Sequence, residues 1–337
     1  MDNRITGKRL SNVLSYDWFK IIIIIAAVAL VWSLAFTMGA PRATTGQTFG
    51  FFVYSDFQCA KSENDVLQDA KNKGAFSYDV LDFNTRSLTK DYYATVMTAS
   101  TSVQEGDVFI MSDVLSGEDK NDSFFRNFVD SYGLAYDLNE LISDAEKYCL
   151  DNYAVVEADG VYTIDEARVR QIFAERMKKD PRFRNKNSQK YKDGEKSEIE
   201  RFKSVWNNAQ KLKQVLEDHP ELKVNYKKYT QTVAGLSDDD RTKEEYLALL
   251  EKETERPYAL NLGKLTGGKT PITDLYARVL GSGDEKTVTA DGIVLCVFDY
   301  ESYQPDLQYE TIGFINYFIE NYSNFFDAEF SDLIALT

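Results

Sequence analysis

The chain has 337 residues, a net charge of −15 and a single histidine. The acidity argues against a nucleic-acid binder, and one His excludes a His-based metal centre or a Ser-His-Asp triad. Cys59, Cys149 and Cys296 are widely spaced and odd in number, so no disulfide framework or metal motif can be read from them. They read as small buried hydrophobes.

The first element is a membrane anchor. No charged residue occurs from Ile21 to Pro41, and the run from Ile21 to Phe36 is almost wholly apolar. About 20 such residues at 1.5 Å each cross a ~30 Å hydrocarbon layer as a helix. Trp18 and Phe19 mark one interface and Trp32 approaches the other. Arg4, Lys8, Arg9 and Lys20 precede the run and only Arg42 closely follows it. The positive-inside rule therefore leaves residues 1–20 in the cytoplasm, spans 21–41, and places the bulk outside the cell as a single-pass protein. A cleaved signal peptide fits less well. The apolar run is too long for one, Met38 holds the −3 position for cleavage after Ala40, and Pro41 would follow the cut.

After a linker (42–47), residues 48–150 carry a strand–helix alternation that predicts an α/β lobe with a parallel sheet. Thr48 to Ser55 reads as a strand. Lys61 to Lys73 reads as a helix with Val66, Leu67 and Ala70 inward and Gly74 as its stop. Phe76 to Phe83 alternates as a second strand. Thr89 can cap a helix through Val103, with Tyr92, Tyr93, Val96, Met97 and Ala99 inward. Asp107 to Met111 is a third, short buried strand.

Residues 151–256 read as helical. Thr163-Ile164-Asp165-Glu166 is a capping box that opens a helix through Met177, and Ser197-Glu198-Ile199-Glu200 is another. The second opens an amphipathic helix with Ile199, Phe202, Trp206, Ala209, Leu212 and Leu216 on one face. Arg182 to Gly194 reads as a polar loop, and Ser237 to Asp240 start a helix with Tyr246, Leu247 and Leu250 inward. His219, before Pro220, reads as a surface or capping residue. Residues 257–337 return to the α/β lobe, with strands at Tyr258 to Leu262 and Ile293 to Phe298 and an aromatic-rich helix from Leu307 to Phe318.

Ligands of open parallel sheets bind outside the carboxyl ends of the strands. Those predicted ends carry Ser55, Asp56, Asn84, Thr85, Ser112 and Asp113, which become the candidate ligand-binding residues, although the same residue types are ordinary turn formers. A second candidate is electrostatic. Arg168 to Lys213 holds 15 Lys and Arg against 6 Asp and Glu. Arg168, Lys178, Lys179, Arg182 and Arg184 in that segment are candidates for docking a partner or an anionic envelope polymer, against the plainer account of a solvated face.

Two motifs are set aside. Gly263 to Thr270 matches G-x-x-x-x-G-K-[ST] literally, and Val294 to Asp299 resembles a strand ending in a magnesium-binding Asp. Too few residues follow for a nucleotide-hydrolysing domain, the expected compartment is poor in nucleoside triphosphate, and Pro271 follows directly. A Gly-rich turn is the better account. Glu157 to Glu166 resembles part of a calcium loop, but Val155 stands where the first carboxylate is required, so a β-turn is read instead.

Phe51 to Ser55, Tyr78 to Asn84, Tyr92-Tyr93, Gly106 to Met111 and Tyr132 to Leu138 resemble the first lobe of type II extracellular solute-binding proteins of ABC transporters. Gly292 to Val297 and Thr311 to Phe318 are similar to the return to that lobe. The resemblance covers these two blocks through soft patterns; the spanning helix and the helical middle differ from the family. It implies a parallel-sheet lobe like a type II periplasmic binding protein, and a non-catalytic role in binding a small solute such as a sugar or peptide, or in serving a membrane transporter. No enzyme activity, cofactor, metal or nucleic acid is expected.

Overall fold

The computed structural model describes residues 7–39, 43–54, 57–89, 91–113, 124–227, 255–280, 286–300 and 309–326. Two compact units divide at Arg42: residues 1–42 and residues 43–337.

The first unit is one helix, α1 (Gly7–Gly39), which begins well before the apolar run. Its side chains are described from Trp18 to Leu34. Ile22, Ile23, Ile24, Ile25, Val28, Leu30, Val31, Trp32 and Leu34 are each more than half exposed. Among the described residues no helix is long and apolar enough to cross a membrane.

The second unit is a mixed α/β fold around a six-stranded sheet. The strands of the chain are β1 (Thr48–Tyr54), β2 (Gln58–Cys59), β3 (Asp82–Leu88), β4 (Val108–Ser112), β5 (Val155–Ala158), β6 (Val161–Ile164), β7 (Lys223–Tyr226), β8 (Arg256–Asn261), β9 (Tyr276–Leu280), β10 (Thr287–Thr289) and β11 (Ile293–Val297). The central sheet has the order β3-β1-β4-β11-β8-β7. β3, β1 and β4 pair in parallel, then β11 pairs antiparallel to both β4 and β8. β8 thus runs with β1, and edge strand β7 runs against it. A parallel sheet was expected; the β3-β1-β4 run is parallel as expected, and the remaining pairings are antiparallel. Gly292 (φ 73°) sits in the short turn before β11, which is entered from β10 of a separate three-stranded sheet and not through a helical crossover. β4 and β11 are buried at every position, as continuous apolar strands covered on both faces must be.

The second predicted strand is displaced. β3 begins at Asp82, six residues later than its alternation suggested. Residues 76–81 are turns: the Val80 N–H bonds to the Ser77 carbonyl and the Leu81 N–H to the Gln47 carbonyl. Phe76 leaves the ladder to pack on Phe49 and Phe314, with ring centroids 4.7 and 5.5 Å away.

Helix α2 (Glu63–Asn72) starts two residues later than expected, capped by Ser62; it buries Val66, Leu67 and Ala70 and is followed by Gly74 at φ 79°, both as read from sequence. Helix α3 (Tyr93–Val103) starts after Tyr92, which makes no side-chain cap, so Thr89 is not its N-cap. It buries Tyr93 and Met97 but leaves Tyr92 and Ala99 exposed. A one-turn helix α4 (Phe124–Arg126) and helix α5 (Leu138–Asp151, capped by Asp137) follow. β5 and β6 form a hairpin whose turn residues Asp159 and Gly160 both have positive φ, 53° and 80°. That is the Asp-Gly two-residue turn matched to strand twist, and it accounts for the calcium-loop resemblance.

Helix α6 (Glu166–Arg176) is capped by Asp165, because Thr163 and Ile164 are spent in β6. Helix α7 (Gln189–Asp218) is capped by Ser188 and runs 30 residues. The capping box at Ser197 is therefore interior helix, and half of the predicted loop is helical. A Cβ on Gly194 would lie 2.6 Å from both Phe173 and Phe183, so glycine lets α7 pass over that pair. All six apolar residues predicted for this helix are buried. Helix α8 (Glu310–Tyr322) is buried along nearly its whole length. Residues of α5, α7 and α8 share one hydrophobic core with the sheet, so the helical middle is part of the second unit. The helix predicted from Ser237 lies outside the described residues.

Candidate functional sites

The six predicted strand-end residues do not converge. Ser55 and Asp56 lie outside the described residues. Asn84 and Thr85 fall in the first half of β3, level with Gly50 and Phe51 of β1. Ser112 ends β4, two residues past the Val53–Ile110 pair, and Asp113 follows it. Asn84 and Ser112 are thus offset along the strands by about 16 Å. The displaced start of β3 is the cause: its carboxyl end is Leu88, not Asn84. Ser112 is buried; burial raises the Asp113 carboxyl pKa, partly offset by Arg126.

Asn84 instead lines a cavity of about 250 Å³ at the amino ends of β1 and β3, with Gly50, Gln104, Glu105 and Gly106. The Glu105 carboxylate accepts from Asn84 Nδ2 and pairs with Arg86. The Gly50 N–H donates to the buried Asp107 carboxylate at 2.5 Å. These groups already satisfy one another, which leaves a small cavity with few open valences.

The literal phosphate-loop motif lacks its context. Leu262–Lys264 is a single 3-10 turn, Gly267 bridges to Ser323, and only the short turn Ile272–Asp274 follows Pro271. No helix N-terminus stands after Thr270 to receive a phosphate. A Cβ on Gly267 would lie 2.5 Å from Asn324, so the glycines serve the close approach to the end of α8. The same turn does border the larger described cavity, about 580 Å³, between the ends of α2 and α8.

The basic segment divides into a buried clasp and an exposed cluster. Glu198 is fully buried and accepts from Arg201 Nη2 at 3.0 Å, Arg176 at 2.9 Å and the Tyr78 hydroxyl at 2.7 Å. Arg176 also reaches Asp79 at 3.1 Å, and Arg182 pairs with Asp79 at 2.8 Å and Asp180 at 2.7 Å. Burial alone would raise the Glu198 carboxyl, but Arg201 and Arg176 hold it below the ordinary carboxylate range. Two of the five predicted docking residues are therefore committed internally: Arg182 to this clasp, and Arg168, whose Nε donates to the Asn152 carbonyl at 3.0 Å. The reason is long-range, since Asp79 lies 103 residues from Arg182. Lys178, Lys179 and Arg184 are exposed and make no ion pair among the described residues, as do the neighbouring Lys186 and Lys190. Lys178, Arg184 and Lys190 adjoin in sequence Met177, Phe183 and Tyr191, which with Phe173 form a small satellite core.

No family model and no curated protein matches the chain.

Cys149 and Cys296 are buried, and burial pushes the Cys149 thiol up to about 12. Cys59, in edge strand β2, is exposed, contrary to expectation. His219 ends α7, stacks on Phe325 with ring centroids 3.9 Å apart, and pairs with Glu221.

Proposed function

We propose that the chain is a membrane-anchored, outward-facing, non-catalytic module that docks an anionic envelope polymer through Lys178, Lys179 and Arg184. The exposed cations carry this reading: the arginines beside them are neutralised inside the fold, yet Lys178, Lys179 and Arg184 make no ion pair among the described residues of a chain of net charge −15. Satisfied surface charges need no partner; a concentrated unpaired set attracts an opposite one. The anchor rests on α1, whose apolar side chains are exposed on all sides and gain by transfer to lipid.

The test is binding of the full chain, in detergent micelles, to polyphosphate. Binding is expected to weaken steeply between about 0.1 M salt, where charges are screened beyond ~10 Å, and about 1 M, where the length is ~3 Å. Combined Lys178→Glu, Lys179→Glu and Arg184→Glu substitution should abolish it. Salt-insensitive binding, or binding that survives the triple substitution, refutes the assignment.

Solute binding in the manner of type II extracellular solute-binding proteins is the second reading. It is supported by the parallel run of β3, β1 and β4 and by the 580 Å³ cavity. It no longer draws on a shared cleft of Asn84 and Ser112.

A further inference from the structure

The larger cavity has an unusual charge inventory. Three lysines and three carboxylates border it. Most of them are matched. Lys73 pairs with Asp69 at 2.9 Å and reaches Asn321 Oδ1 at 2.7 Å. Asp69 also accepts from the Tyr317 hydroxyl at 2.6 Å. Glu320 pairs with Lys211 at 2.9 Å. What remains is Lys61, which acts on Asp69 without forming an ion pair, together with Lys269 and Asp274; none of the three makes an ion pair among the described residues.

Unpaired groups of both signs therefore face one cavity. Its volume, about 580 Å³, falls in the range of small-molecule sites. Leu275 and Tyr322 supply buried apolar wall, and Phe326 is half-buried at the rim. A polyphosphate or nucleotide would meet Lys61 and Lys269 but also three carboxylates, and like charges in a concave site cost several kcal/mol by order of magnitude. A neutral apolar ligand would leave three charges desolvated without partners. A ligand that carries one carboxylate, one ammonium and a modest apolar side chain satisfies all three residues and the wall together.

We infer that this cavity is a binding site for a small zwitterion, a free amino acid or short peptide, with Lys61 and Lys269 receiving its carboxylate and Asp274 its ammonium. The glycine turn that mimics a phosphate loop acts as a spacer. By crossing close to Ser323 and Asn324 it sets Lys269 and Thr270 at the mouth. The inference rests on the solute-binding reading of this cavity and is independent of the basic cluster around Lys178.

The experiment uses the full chain in detergent micelles. Thermal midpoints are measured with the common amino acids and with alanyl-alanine, its N-acetyl derivative, its C-terminal amide, and ATP. Binders in the panel are then titrated. At least one zwitterion should raise the midpoint saturably. Its two singly blocked forms should each bind about tenfold more weakly or worse, the scale of one charge-assisted hydrogen bond. Lys269→Ala should remove discrimination against the amide, and Asp274→Asn discrimination against the N-acetyl form. Both residues are exposed, so the unliganded midpoint should not move, and this is checked first. Three results overturn the inference: no zwitterion in the panel binds, the blocked forms bind as tightly as the parent, or ATP binds in preference.

Discussion

Replacement of Glu198 by Ala should be among the most destabilising single changes in the second unit. The carboxylate is fully buried and is the common acceptor for Arg201, Arg176 and Tyr78. Arg201 is itself almost fully buried, with the Tyr148 hydroxyl at 2.7 Å and the Phe202 ring at 4.6 Å among its other contacts, and the buried Glu310 carboxyl also acts on it. Removing Glu198 thus takes from a buried guanidinium the carboxylate it bonds through Nε and Nη2, which costs about 3–5 kcal/mol, whereas an intact buried pair contributes far less than that net. Urea unfolding followed by far-ultraviolet circular dichroism should therefore show a large fall in midpoint for Glu198→Ala. The double variant Glu198→Leu/Arg201→Met, which removes both charges and keeps volume, should recover at least half of the loss. The pH dependence has a definite sign. The Glu198 pKa is depressed in the folded state, so its contribution is full above the unfolded carboxylate pKa, about 4.3, and is lost as pH falls through the lower folded value. The acid limb of the stability curve should be shallower in Glu198→Ala. A cost under about 1 kcal/mol, or a double variant no more stable than the single, would refute the view that this cluster is a closed electrostatic clasp.

Glu310 should behave in the opposite way. Burial raises its carboxyl, the Ser77 N–H donates to Oε2 at 2.9 Å, Oε1 is buried with no hydrogen-bond partner among the described residues, and Arg201 and Asp79 act on it from the facing elements. Its favourable state is protonated, fully present below the unfolded pKa and lost as pH rises through the higher folded one. Glu310→Gln should accordingly raise the urea midpoint near neutral pH and leave it unchanged in acid; equal effects at both would contradict the burial argument. Deletion of residues 1–42 should release the second unit from membranes into the supernatant with its unfolding midpoint intact, since residues 43–337 form their own compact unit. Retention of the truncated chain on membranes would show that α1 is not the tether.

Much of the architecture was legible because it is local. β1, β4 and β11 are short runs of aromatic and branched residues that can only be buried strands, and α2 carries its apolar face and its stop within a dozen residues. The inward face of α7 followed from its 3–4-residue spacing, but its start did not. Ser188, with no apolar residue until Tyr191, looks like loop, and only Phe173 and Phe183 lying against Gly194 and Tyr191 make that stretch helical. β3 was misplaced for a related reason. Phe76, Tyr78 and Val80 alternate like a strand, yet Phe76 packs under α8 while Tyr78 and Asp79 turn toward α6 and α7. That displacement separated Asn84 from Ser112 and dissolved the predicted cleft.

Composition, periodicity and charge were enough to determine an apolar N-terminal helix, an α/β body and a basic middle segment, because each is a property of neighbouring residues. The tertiary structure alone decided which charges remain open. Arg182 is neutralised by Asp79, 103 residues away, while Lys178 and Lys179 find no such partner among the described residues. Lys61, Lys269 and Asp274 come from segments some two hundred residues apart and meet only because the end of α8 is packed between α2 and the glycine turn. Pairing energies fall off over a few ångströms, so a site made of unmatched charges is defined by the packing that matches all the others.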